Sequence, residues 1–146
     1  MKLLVKKLRP DAIVPVRATE GSAGHDLHAL LEEPVTVNPG DLVRIPTGIA
    51  IALPSPEVAA FVYARSGLAI RFGIAPSNCV GVIDSDYRGE LLVGLTNHGR
   101  EPYTIQNGER IAQLIVAPVV LPEIVETEAL DDTARGAGGF GSTGRM

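Results

Sequence analysis

Apolar residues along this chain come mostly in short runs, cut by proline, glycine and acidic turns. Leu3 to Leu8 reads as a first strand, closed by Pro10-Asp11. Val35-Thr36-Val37 and Asn38-Pro39-Gly40 make a strand and a turn. From Leu42 to Leu53 the chain alternates, with Ile49, Ile51 and Leu53 on one face and Ala50 and Ala52 on the other. That period of two predicts one long strand, ended by Pro54 and Pro56. Val58 to Tyr63 is another strand, and Ser66 is placed to cap a helical turn to about Phe72, the one helix expected. Ile74 to Ile83 runs into Asp84-Ser85-Asp86, and Gly89 returns the chain into Leu91 to Leu95. This predicts a β-hairpin with an acidic end on an apolar stem. Asn107-Gly108 signals a tight turn between Tyr103-Thr104-Ile105 and Arg110 to Val116. Pro118 and Pro122 suit an edge strand or a crossing segment. No long stretch carries an apolar stripe at helical spacing, so many short strands imply an all-β antiparallel sandwich or jelly roll.

Composition sharpens this picture. At 146 residues and 45% hydrophobic, the chain can bury one domain's core, and Gly 16 with Pro 11 suits tight turns. A net charge of −4 argues against binding nucleic acid, because affinity for a phosphate backbone needs clustered Lys and Arg. The single Cys79 excludes an internal disulfide. With no His near it in sequence, it reads as a small buried apolar residue. The first ten residues carry charges every few positions, so they form neither a signal peptide nor a membrane span. A cytoplasmic, reducing compartment is the expectation. From Asp131 the apolar content falls and glycines dominate. The chain is therefore read as a body over 1–130 and a flexible tail over 131–146.

Polar chemistry interrupts the strands in five places. A carboxylate at a strand end, such as Asp84, can hold one geometry and stay open to a ligand, as a general base must. The same turn also reads as a solvated acidic loop, and Asp86 is a rival two residues on. Asp26, after Ala23-Gly24, could accept bonds from its own backbone. Arg65-Ser66 could be a surface cation and a helix cap. Gln113 shares strand parity with Ile111 and Ile115, so a face expected to be apolar carries an amide. That amide needs either a structural hydrogen bond or a ligand contact. The glycine-rich tail lacks the spacing and the terminal Lys-Ser/Thr of a Walker loop. Phe140 among its glycines would suit a lid that stacks on a base.

Five segments occur in order: Ala23-Gly-His-Asp-Leu27, Arg65-Ser-Gly-Leu-Ala69, Gly81-Val-Ile-Asp-Ser-Asp-Tyr-Arg-Gly89, Arg110-Ile-Ala-Gln-Leu-Ile115 and Arg135-Gly-Ala-Gly-Gly-Phe-Gly-Ser-Thr-Gly144. Together they resemble the five motifs of the trimeric dUTP pyrophosphatases (dUTPases), and the resemblance runs from about residue 10 to 144. Two departures are visible. Ala64 stands where many members have Pro, and His25 fills a variable slot before Asp26. Neither removes a functional group.

The resemblance implies a jelly-roll-like β-barrel with one short helix. It implies a homotrimer whose active sites lie between subunits, each closed by a C-terminal tail. It also implies Mg²⁺-dependent hydrolysis of dUTP to dUMP and pyrophosphate, limiting uracil incorporation into DNA and supplying dUMP for dTMP synthesis. On this basis Asp84 is the base that orients the attacking water, and Tyr87 lies under the deoxyribose where a 2′-hydroxyl would clash. The backbone of the Asn78–Leu91 hairpin and the Asn78 amide pair with uracil; Gly81 and Gly89, lacking side chains, leave no space for a thymine methyl. Arg65, Ser66, Gly67 and Gln113 meet the phosphates. Asp26 accepts from Mg²⁺-bound water, with the ion held mainly by substrate phosphates. In the tail, Arg135, Ser142 and Thr143 meet the terminal phosphate, while Phe140 stacks on the base beside Gly141. Two other readings share the scaffold: a dCTP deaminase, and a nucleotide-responsive binding protein without catalysis.

Overall fold

A computed structural model of the chain describes residues 1–144. Eleven strands and one helix follow in order: β1 (Leu4–Lys7), β2 (His25–His28), β3 (Val35–Val37), β4 (Leu42–Pro46), β5 (Ile49–Ala52), β6 (Val58–Tyr63), α1 (Ser66–Phe72), β7 (Ile74–Pro76), β8 (Gly81–Ile83), β9 (Leu92–Asn97), β10 (Tyr103–Ile105) and β11 (Arg110–Pro118). Every strand pairing is antiparallel. A four-stranded sheet runs β2-β11-β6-β8 and a three-stranded sheet runs β4-β9-β7. Two ribbons, β1-β5 and β10-β3, complete the set. Leu27, Ile45, Ile49, Ile74, Leu95 and Leu114 lie in one buried cluster that draws on both larger sheets and the β1-β5 ribbon. The all-β antiparallel expectation with one short helix holds.

Several local expectations are corrected. Leu42 to Leu53 is two strands, because Gly48 takes φ +68° between them. β4 then joins β9 while β5 turns to β1. A Cβ on Gly48 would stand 2.2 Å from a Leu30 methyl, so the corner needs glycine for space as well as for φ. The alternating pattern was real, but both faces of β5 are covered: Ile49, Ala50 and Ile51 are all buried.

The acidic turn is not a paired hairpin. β8 pairs with β6, whereas β9 pairs with β4 and β7, so the chain crosses from one sheet to the other at Asp84–Leu91. Likewise the Asn107-Gly108 turn forms, with Gly108 at φ +76°, but its flanking strands pair elsewhere: β10 with β3, β11 with β2 and β6. The Tyr103 hydroxyl donates to the Glu109 carboxylate across this corner. Burial, together with that carboxylate, pushes the phenol up to about 12. Cys79 is exposed with φ +63°, not buried as expected. It sits in the turn after β7, where no sheet covers it.

Gln113 shares a face with Ile115 as expected, but not with Ile111. The β11–β2 register shifts between Arg110 and Ala112, leaving Ile111 and Ala112 both fully buried. Past this bulge Leu114 points into the core. Gln113 emerges on the outer face, in a shallow depression with Phe61, Tyr63, Ile115 and Ala117.

Beyond β11 the described chain, residues 119–144, holds no further strand or helix. Val119 donates to the Glu57 carbonyl, and thereafter Val120, Ile124, Val125 and Leu130 are strongly exposed. The expected tail of 131–146 includes residues 145–146, which lie outside the described residues.

Candidate active site

The crossing between sheets creates the first half of the site. Where the chain leaves β8 for β9, a cavity of about 250 Å³ opens between the two sheets. Val62 and Val93 form apolar walls, and Asn78, Gly81, Asp84, Tyr87 and Glu90 supply its polar and aromatic groups. Asp86, the rival carboxylate, does not line it. The Asp84 carbonyl accepts the Tyr87 N–H at 3.2 Å, closing a tight turn that presents the ring. The Tyr87 hydroxyl donates to the Glu90 carbonyl at 3.0 Å. Gly89 serves this arrangement directly, because a Cβ there would stand 2.3 Å from the Tyr87 hydroxyl. Its missing side chain makes room for the tyrosine ring, whereas the Gly81 Cβ direction points to Val62 and the Asn78 amide.

The second half is assembled from β2, the β6–α1 junction and β11. Asp26 and Gln113 are register partners across the β2–β11 ladder, so their side chains share a face. Asp26 is buried, yet both its oxygens are engaged. Arg65 Nε donates to Oδ1 at 2.8 Å and Arg110 Nη1 to Oδ2 at 3.2 Å. Arg65 Nη1 also reaches the Arg110 carbonyl at 3.2 Å. Gln113 Nε2 donates to the Ala64 carbonyl at 2.9 Å, and its Oε1 lies over Gly24, where a Cβ would stand 2.5 Å away. Asp26, Arg65, Ser66, Gly67 and Gln113 line one polar cavity of about 290 Å³.

Ser66 opens α1 but does not cap it. Arg65 occupies the cap position, no side chain bonds the helix start, and Ser66 is exposed. Ser66 instead lines the polar cavity beside Arg65 and Gln113. Arg110 was missed by sequence reasoning, although a cation at the start of an apolar strand was the available signal. Glu90 was missed too, and sequence offers no cue for it. His28 lies beside the Asp26 cluster with a buried Nδ1 that has no hydrogen-bond partner among the described residues. Burial lowers the His28 pKa; Asp26 pulls it up, while Arg110 and Arg65 push it down.

The two cavities share no lining residue. Arg135, Phe140, Gly141, Ser142 and Thr143 line neither, and Phe140 is fully exposed. Within a single chain the structure therefore brings the expected residues together in two groups plus a free tail.

The dUTPase family model matches residues 10–144. The chain belongs to the dUTPase family. A deoxyuridine 5'-triphosphate nucleotidohydrolase of Desulfitobacterium hafniense is 51% identical over 146 residues, covering 99% of this chain and 97% of that protein. One from Hahella chejuensis is 51% identical over 144 residues, with 99% and 95% covered. Among solved structures, a dUTPase mutant of Staphylococcus bacteriophage 80alpha with dUpNHpp matches at a TM-score of 0.88 and 26% identity, covering 99% of each chain. All five dUTPase motif segments fall within the matched span. Among the described residues, no helix is long and apolar enough to cross a membrane.

Proposed function

We infer that this protein is a dUTP diphosphatase that hydrolyses dUTP to dUMP and pyrophosphate. The observation that carries this reading is the meeting of Asn78, Asp84 and Tyr87 around one cavity at the sheet crossing. An amide, a carboxylate and an aromatic ring are the three groups needed to read a base, align a water and wall a sugar.

Asn78 offers both a donor and an acceptor, matching N3–H and O4 of uracil. Cytosine reverses that pattern and would leave buried groups unpaired, at about 1–3 kcal/mol each. Tyr87 packs under the deoxyribose. Asp84 accepts a proton from water and aligns it for in-line attack on the α-phosphorus, opposite the departing pyrophosphate. Ser66 and Gly67 donate to phosphate oxygens, Arg65 supplies charge, and Gln113 contacts phosphate or water.

The donor set fits Mg²⁺ carried on the substrate. Among the described residues no group of three acidic, His or Cys side chains converges. Asp26, already holding two guanidinium groups, has lone pairs left to accept from a metal-bound water rather than to ligate directly. Bound there, Mg²⁺ would draw charge from the phosphate oxygens and favour release of pyrophosphate.

The active form is a homotrimer. Three observations support this: the two half-sites share no residue, the outer β6–β11 face is apolar at Phe61 and Ile115, and the segment after Pro118 exposes Val120, Ile124 and Val125. Neighbouring copies would join one chain's Asp84 cavity to another's Arg65 cluster. The tail then supplies Arg135, Ser142 and Thr143 to the terminal phosphate, and Phe140 with Gly141 to the base, excluding water once a triphosphate is bound.

The deciding experiment offers deoxynucleoside triphosphates singly with Mg²⁺ and follows pyrophosphate. Release from dUTP, with little from dCTP or dTTP, is expected. No release from dUTP would remove this reading.

A further inference from the structure

Tyr87 is 46% exposed, so the core does not fix its ring. Steric rejection of a 2′-hydroxyl is only as strong as the wall is stiff, and a yielding pocket tolerates an added hydroxyl. What stiffens this wall is visible on the other side of the turn. The ring's hydroxyl is tied to the Glu90 main-chain carbonyl at 3.0 Å. The Glu90 carboxylate in turn accepts the Gly48 N–H at 2.7 Å, in a partly buried setting.

Gly48 is a firm anchor. Its carbonyl accepts the Leu8 N–H at 2.8 Å, and Leu30 and Ala12 close over the space a side chain would need. Two further bonds fasten the same corner to the residue after Glu90. Thr47 Oγ1 donates to the Leu91 carbonyl at 2.6 Å, and Leu91 N–H donates to the Ile49 carbonyl at 2.9 Å. The β4–β5 corner thus clamps the far end of the acidic turn, 42 residues away in sequence.

We propose that Glu90, through its bond to Gly48, is the positioning residue that makes Tyr87 a rigid sugar gate and so sets discrimination between deoxyribo- and ribonucleotides. This rests on the dUTP diphosphatase reading above. Glu90 lines the same cavity, but its carboxylate is engaged by the Gly48 N–H, and it acts by holding the carbonyl that holds the ring. The Leu91 N–H lies in the same planar peptide as the Glu90 carbonyl, so its bond to Ile49 and the carboxylate's bond to Gly48 hold that carbonyl from two sides. Without the carboxylate only the first tie remains, and the ring gains room to retreat from an extra hydroxyl.

The test compares kcat/KM for dUTP and UTP in the full chain and in Glu90→Ala, Glu90→Gln and Glu90→Asp. In Glu90→Ala the dUTP preference should fall by about tenfold or more, chiefly through better use of UTP. Glu90→Gln, which keeps an acceptor at the same reach, should restore most of the preference. Glu90→Asp, one methylene shorter, should behave like Ala. If Ala proves unstable, the Asp and Gln pair carries the comparison alone. An unaltered preference in folded Glu90→Ala or Glu90→Asp, with the parent active on dUTP, overturns the gate. A parent inactive on dUTP instead overturns the functional reading, and the gate with it.

Discussion

Arg65 and Asp26 meet at 2.8 Å, guanidinium Nε to carboxylate Oδ1, across 39 residues of sequence. Asp26 also binds Arg110, so one buried carboxylate balances two cations that are themselves partly exposed. Asp26→Asn keeps the shape and removes that balance. Because both cations reach solvent, the loss should be about 1–3 kcal/mol, below that of a fully buried pair. Urea unfolding measures it. Pyrophosphate release should also drop, since Arg65 loses its aim. Parent-like stability and turnover together would show that Asp26 organises nothing.

Asp84 and Asp86 differ by where the turn points them: only Asp84 lines the cavity with Asn78 and Tyr87. Asp84→Asn should lower turnover by roughly 10²–10⁴ while a non-cleavable dUTP mimic still binds. Asp86→Asn should cost far less. Equal losses in the two variants would withdraw the assignment of the base.

Among the described residues, 131–144 bond only to one another, as in Gly138 N–H to the Arg135 carbonyl and Ser142 N–H to the Gly139 carbonyl, both at 3.0 Å. Ending the chain after Ala134 should leave the melting temperature nearly unchanged while turnover falls steeply. A truncated protein with full turnover contradicts the lid.

His28 sits below its ordinary value of 6.5, chiefly through burial. The unfolded chain therefore takes up a proton before the folded one as pH falls. Stability from this group is present above 6.5 and is lost as pH drops from there toward the lower folded value. His28→Gln should flatten this part of the profile. Urea midpoints collected between about pH 7.5 and 5 check it; an identical slope in the variant would assign the effect to another group.

Much of this protein was legible in one dimension. Short apolar runs ended by Pro54, Pro56 and Pro118 specified many short strands, because backbone geometry and side-chain period act locally. Ordered motifs around Asp26, Arg65, Asp84, Gln113 and Phe140 identified the family, because five polar segments in one order along a chain are far more specific than any one of them. Pairing was not legible. Strands β8 and β9 look like two arms of a hairpin, yet they belong to different sheets. Only the competition among all strands for partners decides that, and the cavity exists because of it. Equally hidden were the bulge that turned Gln113 outward and the bond from Gly48 to Glu90. Each depends on which distant backbone group happens to lie within 3 Å, a relation that sequence spacing does not encode.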